Sequence, residues 1–280
     1  MLRVALPNKG SLAEDSIKIL LEAGYKQRTD TRDLVTIDEV NQIEFYYLRP
    51  RDIAIYVASG ELSIGITGRD LLLDSGVKAQ ELLPLGFGKS TFRFGVPVST
   101  SGEAISILNG KRVATSYPGL VKSYLESKSI QSDVVQLDGA VESAVRLGVA
   151  DAIADVVSTG NTLRQAGLKV IGDSILESEA VLISSSNTSN EMQILIHRLN
   201  SVIIARQYVL MDYDVKSDLV EAACALTPGI ESPTISPLKV EGWMAIRAMV
   251  KRQDAHRIMD DLWSLGARGI LVTDIHACRL

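Results

Sequence analysis

The chain has 280 residues, 46% of them hydrophobic, and a net charge of −5, which allows two or three domain cores and argues against nonspecific nucleic-acid binding. No apolar run is long enough to span a membrane, and the first residues, MLRVALPNKG, lack the apolar stretch of a signal peptide. With only Cys224 and Cys278 a disulfide framework is excluded, and the expected setting is a reducing cytoplasm.

In chain order, the pattern predicts a strand over 2–6, a loop at Pro7-Asn8-Lys9-Gly10, and a helix from Ser11 to about Ala23 with Gly24 as its stop. Ser11-Leu12-Ala13-Glu14 reads as a capping box at the start of that helix. Strand 43–48, helix 50–58, strand 62–67 and helix 69–75 repeat the alternation, which predicts a parallel sheet covered on both faces. The segment LGFGKSTFRFGVPV, within 84–98, reads as an extended crossing into a second lobe. That lobe is expected to hold a strand over 112–115, a helix opening at Pro118, and a strand near 133–137. A strand over 180–185 returns to the first lobe and a long helix follows over about 190–205. The fold class is therefore α/β, in a two-lobed arrangement that resembles the periplasmic-binding-protein type. The lobes are expected at 1–89 with 179–205, and at 90–178.

From 206 to 280 the order changes to strand 207–213, helix 216–226, strands 231–236 and 242–250, helix 253–265 and strand 268–274. This βαββαβ order is ferredoxin-like and resembles small regulatory domains of amino-acid biosynthesis.

The strongest chemical signal lies at 151–162. Ala152, Ile153, Ala154, Val156 and Val157 form a buried strand interrupted by Asp155 and preceded by Asp151, and Ser158-Thr159-Gly160-Asn161-Thr162 follows as the start of a helix. Unpaired amides at a helix start, hydroxyl donors and a glycine make a cradle for a phosphate monoester. A carboxylate next to a phosphate repels it, so Asp155 suits sugar hydroxyls or Mg2+, and the combination describes a phosphoribosyl group. The same residues also read as an ordinary helix cap with solvent-facing aspartates.

Glu142, Gly148, Ala150, Ile153, Asp155, Val156 and Thr159-Gly160-Asn161-Thr162-Leu163 together resemble the signature of the ATP phosphoribosyltransferase family, which catalyses the first step of histidine biosynthesis. The resemblance extends over the whole chain and is to the long form with a regulatory domain. It implies condensation of adenine N1 of ATP with 5-phosphoribosyl 1-pyrophosphate, with Mg2+ held at Asp155. It implies donor contacts from Asp151, Asp155, Ser158, Thr159, Gly160, Asn161 and Thr162, and catalytic roles for Lys9, Arg49 and Asp155. ATP would meet Arg69, Asp70, Leu71 and Tyr117, with Arg51 a further candidate cation. Asp151 can instead be structural, Tyr117 and Leu71 can be core residues, and the role of Glu142 stays open. In the third domain the resemblance implies allosteric histidine at Asp214, Ile230, Ser232 and Thr234, and assembly of dimers into hexamers. His197, His256 and His276 are expected outside the cleft, so none is assigned to proton transfer.

Two rivals account for part of this pattern. A prephenate dehydratase also joins a two-lobed cleft to a sensing domain, but its Thr-Arg-Phe triplet is here Thr91-Phe92-Arg93-Phe94, in the wrong order. A solute-binding module without catalysis explains cleft and sensor but not an aspartate paired with a phosphate turn.

Overall fold

A computed structural model describes residues 1–157, 161–185 and 189–279, and the chain divides into two compact units, Met1–Ile196 and His197–Leu280. In the first unit, β1 (Leu2–Pro7), α1 (Ser11–Glu22), β2 (Val35–Asp38), β3 (Ile43–Leu48), α2 (Pro50–Ala58), β4 (Ile64–Gly68), α3 (Arg69–Ser75) and β5 (Gln80–Pro84) come first. Then β6 (Ser90–Pro97) enters a second sheet with β7 (Arg112–Thr115), α4 (Pro118–Ser127), β8 (Asp133–Gln136), β9 (Ala152–Val157), α5 (Asn161–Gln165) and β10 (Leu168–Ser178). The chain returns through β11 (Ala180–Ser184), and α6 (Asn190–Gln207) contains the division between the units.

The first sheet has the order β2-β3-β1-β4-β11-β5 and the second β10-β6-β9-β7-β8. Two α/β lobes joined by crossing strands make the two-lobed architecture expected from the sequence. The first sheet is mixed, however, and not purely parallel. β1, β3 and β4 run parallel, whereas β2 pairs antiparallel with β3 and β11 antiparallel with both β4 and β5. The central strands, β11 included, are the buried ones: Val4, Ala5, Leu6, Phe45, Ile64, Ile66, Val181 and Leu182 are fully enclosed.

Several local expectations change. Ser11 is the first helical residue and not a cap. Gly10, at φ 78 and ψ 179, takes the cap position, and its carbonyl accepts the amides of Ala13 and Glu14. β4 starts at Ile64, later than the expected 62. β2, β5 and the 11-residue β10 were not anticipated. β10 escapes an alternation test because its pairing to β6 is broken between Ile171 and Leu176, where Gly172 turns at φ 62.

The second unit holds β12 (Tyr208–Lys216), α7 (Val220–Leu226), β13 (Thr234–Pro237), β14 (Trp243–Lys251), α8 (Ala255–Leu265) and β15 (Arg268–Asp274), with short 3-10 turns before each helix. Its sheet order, β13-β14-β12-β15, with every neighbouring pair antiparallel, is ferredoxin-like as expected. The strand expected at 231–236 is shorter and later, because residues up to Pro233 belong to a turn where Gly229 sits at φ 72. Val209, Met211, Tyr213 and Val215 alternate inward against Ala223, Ile258 and Leu262 of the helices. The buried Tyr213 hydroxyl is paired with Thr227 Oγ1 at 2.7 Å. Gly266, at φ 116, closes α8. Both cysteines are free, and burial pushes the Cys224 thiol up. Among the described residues no helix is long and apolar enough to cross a membrane.

Close packing of α2 on the first sheet depends on Gly65, where a Cβ would lie 2.7 Å from Ile53 Cγ2, 3.0 Å from Val57 Cγ2 and 3.2 Å from Ala5 Cβ. Gly65→Ala is expected to destabilise the first unit by about 1–3 kcal/mol. Differential scanning calorimetry or guanidinium unfolding checks this, with near-ultraviolet signals of the two tryptophans, Trp243 and Trp263 in the second unit, as the internal control.

Candidate active site

Parallel registry brings three loops of the first lobe to one edge. Pro7 pairs with Leu48, and Ala5 with Gly65, so Lys9, Arg49 and Arg69 all follow strand ends at about the same level. This is the carboxyl edge, where open α/β sheets bind ligands. Lys9 and Arg49 are exposed and have no hydrogen-bond or ion-pair partner among the described residues. Beside Lys9, the buried Oδ1 of Asn8 also lacks a partner, while its carbonyl accepts Arg28 Nη2 at 2.9 Å. Arg28 also donates to the carbonyls of Thr31 and Asp33 and stacks 4.1 Å over the Tyr47 ring, so it fastens the 28–33 loop next to this edge.

Arg69 and Arg51, both candidate cations, are engaged instead. The Arg69 guanidinium meets Glu81 through Nε at 2.9 Å and Nη2 at 2.7 Å, and lies 3.5 Å from Glu179. A polyphosphate would have to displace two carboxylates to reach it. Arg51 pairs with Asp74 at 2.7 Å and donates to the Ser116 carbonyl at 2.7 Å.

Asp70 is 8% exposed, and burial pushes its carboxyl up from the ordinary value. Hydrogen bonds oppose that push: the carboxylate accepts the Leu71 amide at 2.9 Å, the Ser178 hydroxyl and the Tyr117 hydroxyl. The Asp70 amide in turn donates to Ser178 Oγ at 3.1 Å. Tyr117 is raised well beyond its usual range, first by burial and then by the charges of Asp70 and Asp155, with Arg51 acting against them. Its ring packs edge-on against Phe92 at 5.1 Å. Leu71 is also buried, at 8% exposure.

Asp155 is half-buried one residue before Val156, whose amide donates to its Oδ1 at 2.7 Å. Burial raises its pKa, the backbone bond acts the other way, and the charge of Glu142 adds to the rise. Asp70, Tyr117 and Asp155 are therefore brought together across the two lobes. Arg93 faces Asp155 from β6, where its neighbours Phe92 and Phe94 are fully buried.

The expected phosphate turn is only partly described. Ser158, Thr159 and Gly160 lie outside the described residues; Asn161 and Thr162 begin α5, and their side chains are likewise outside the description. Asp151 is not brought to this site, at odds with a role in contacting the donor. It precedes β9 at the opposite end from Val157, about 20 Å away by strand rise. There its carboxylate meets Arg112 through the backbone amide at 3.0 Å and Nη2 at 3.0 Å, which holds it down at about 2.

Among the described residues no group of three or more His, Cys, Asp or Glu is placed to hold a metal. Asp155 with Glu142 nearby nevertheless fits the habit of Mg2+, which is bound through one or two carboxylates and completes its shell with water and substrate phosphates. The three histidines, His197, His256 and His276, all belong to the second unit.

In that unit Asp214 and Thr234 share the open face of the sheet but stand on β12 and β13, which β14 separates. Two strand spacings and an offset of two residues along the strand put them about 12 Å apart. Gly269, at φ 60, lies against Asp214, where a Cβ would come within 3.5 Å of Oδ2. Ile230 and Ser232 are exposed in the turn before β13.

Sequence reasoning missed Ser178, Glu179 and Asp74, each of which acts through a partner far along the chain. No local spacing signals them.

Residues 49–203 match the family described as HisG: ATP phosphoribosyltransferase, and residues 205–277 match HisG, C-terminal domain. An ATP phosphoribosyltransferase of Paenarthrobacter aurescens is 61% identical, and one of Streptomyces coelicolor 57% identical, each match covering all of both chains. Among solved structures, the ATP phosphoribosyl transferase (HisG:HisZ) complex from Thermotoga maritima aligns with a TM-score of 0.62 and 26% identity, over 73% of this chain and 99% of that one.

Because burial raises the Asp70 carboxyl, the unfolded chain releases its proton at lower pH than the folded one. Stability is lost as pH rises from the unfolded value toward the raised folded one, and the deficit persists at neutral pH. Asp70→Asn, which keeps an acceptor for the Leu71 amide, is expected to raise the melting temperature at pH 7 by on the order of 2 °C. The gain should shrink toward pH 3.5, and thermal melts across that range check it.

Proposed function

Because the chain belongs to the ATP phosphoribosyltransferase family, in the long form that carries a further C-terminal domain, we propose that it condenses ATP with 5-phosphoribosyl 1-pyrophosphate in the first step of histidine biosynthesis. Adenine N1 attacks C1 of the ribose, the N1–C1 bond forms, and the C1–O bond breaks with its electron pair leaving on pyrophosphate. N1 of neutral adenine carries a lone pair and no proton. The attack therefore needs no general base, which fits a first unit without histidine. Catalysis then rests on orientation, which in favourable systems supplies about 7–11 kcal/mol, and on stabilising the leaving group's charge.

The observation that carries this reading is the meeting of Asp70, Tyr117 and Asp155, in a first unit whose sheet also carries at its carboxyl edge two cations, Lys9 and Arg49, with side chains unpartnered among the described residues. Tyr117 and Leu71 offer apolar surface for adenine, with Asp70 as an acceptor for its exocyclic amine. Lys9 and Arg49 neutralise the pyrophosphate, Asp155 orients the ribose hydroxyls, and the 158–162 segment receives the 5-phosphate. Asp155 would hold Mg2+ with Glu142 close by, and the ion would add positive charge at the donor's oxygens. Asp214, Ile230, Ser232 and Thr234 are the proposed contacts for inhibitory histidine.

Self-association into dimers and hexamers belongs to the same proposal. Exposed Ile235, Leu271 and Val272 on the outer strands β13 and β15 support it.

Mixing the protein with ATP, 5-phosphoribosyl 1-pyrophosphate and Mg2+ is expected to give a new adenine-derived absorbance together with released pyrophosphate. Silence under these conditions rejects the reading. Asp155→Asn should lower turnover about 100-fold with a melting temperature near that of the parent, and unchanged turnover would remove Asp155 from the site. In the C-terminal unit, Thr234→Ala should weaken inhibition by histidine and leave the uninhibited rate near normal. Equal loss of both would join the two sites that the proposal separates.

A further inference from the structure

The two lobes of the first unit touch at a place the proposed chemistry does not use. Asp74, on α3 of the first lobe, sends its carboxylate into the start of α4 in the second. Oδ1 accepts the Gly119 amide at 2.8 Å and the Leu120 amide at 3.2 Å, while Oδ2 accepts Arg51 Nη1 at 2.7 Å. Arg51 reaches on to the Ser116 carbonyl at 2.7 Å and lies 5.2 Å from the centre of the Tyr117 ring. The Asp74 side chain is 7% exposed. A Cβ on Gly119 would overlap the Asp74 carbonyl oxygen, so only glycine permits this approach.

An anion at a helix start, bonded to two orphan amides and a guanidinium, is a charge-assisted arrangement shielded from water. Its members come from α2, α3 and α4, and the last of these follows directly on Tyr117. Tyr117 of the second lobe and Ser178 at the end of β10 both stand against Asp70 of the first.

We propose that Asp74 is a positioning residue: through the α4 amides and Arg51 it sets the spacing of the two lobes, so that Tyr117 is held against Asp70 beside Asp155. The inference rests on the proposed function, because the spacing it sets is that between nucleotide and phosphoribosyl donor. It also removes Arg51 and the α4 amides from the set of groups that receive substrate phosphates, since Asp74 already fills them.

The test uses the full-length protein as Asp74→Asn, Gly119→Ala and Arg51→Met, with Asp74→Asn/Arg51→Met as the double variant. Asp74→Asn and Gly119→Ala are each expected to lower kcat/KM about 10- to 100-fold and to raise KM for ATP. Binding of 5-phosphoribosyl 1-pyrophosphate alone, measured by calorimetry, should fall by much less than kcat/KM, because its ribose and 5-phosphate are proposed to meet the second lobe only. Arg51→Met should cost far less in the Asp74→Asn background than in the parent. Hydrogen exchange should quicken at 117–121 in Asp74→Asn, and this readout does not depend on turnover.

Parent-like kcat/KM with a lowered melting temperature would make Asp74 merely structural and overturn the proposal. A fall in donor binding equal to the fall in kcat/KM would overturn it as well, by placing Asp74 in the donor site. Should the parent be inactive with ATP and donor, the proposed function fails, and unchanged exchange at 117–121 would separately dispose of the clasp.

Discussion

Taking the Asp70 carboxylate out of water is the constraint around which the first unit is arranged. A buried carboxylate costs stability unless donors converge on it, and here they come from three directions: the Leu71 amide of α3, Ser178 at the end of β10, and Tyr117 just before α4. Ser178 belongs to the strand that returns from the second lobe, and Tyr117 belongs to the second lobe itself. One side chain thereby ties the local geometry of α3 to the returning strand and to the second lobe. The rise in its pKa indicates that the donors offset the burial only in part.

The charges around it divide into two kinds. Arg69, Arg51 and Arg112 are held by carboxylates, with Glu81, Asp74 and Asp151 as their partners, and serve to fasten strands and helices. Lys9 and Arg49 stand at the ends of β1 and β3 without such partners among the described residues. Sequence position alone treats all five as equivalent basic residues near turns. Pairing is what distinguishes them, and pairing is a property of the folded chain.

That distinction also marks how far the sequence could be read. Alternating strand and helix patterns, the proline at the start of α4 and the βαββαβ order of the last 75 or so residues are local signals, and the corresponding elements form. β2, β5 and β10 are edge additions: β2 is only four residues long, and the pairing of β5 and β10 is decided by distant partners. The strand that carries Asp155 was legible because its apolar run and its polar turn are contiguous. Asp151 was misread for the same reason: contiguity with the motif suggested a shared role, whereas strand direction carries it to the far end and into the grip of Arg112. Asp74 and Ser178 carry no motif, and only their contacts at sequence distances of 45 and 108 give them meaning.

The first unit contains neither histidine nor cysteine; all five such residues fall in 197–280. Apart from the terminal amine, its ionisable side chains are then carboxylates, tyrosines, lysines and arginines, whose ordinary transitions lie below about 4.5 or above about 10. The first unit therefore has no imidazole or thiol to shuttle a proton or to be oxidised. Thiol oxidation is thereby limited to Cys224 and Cys278, both free and both in the second unit.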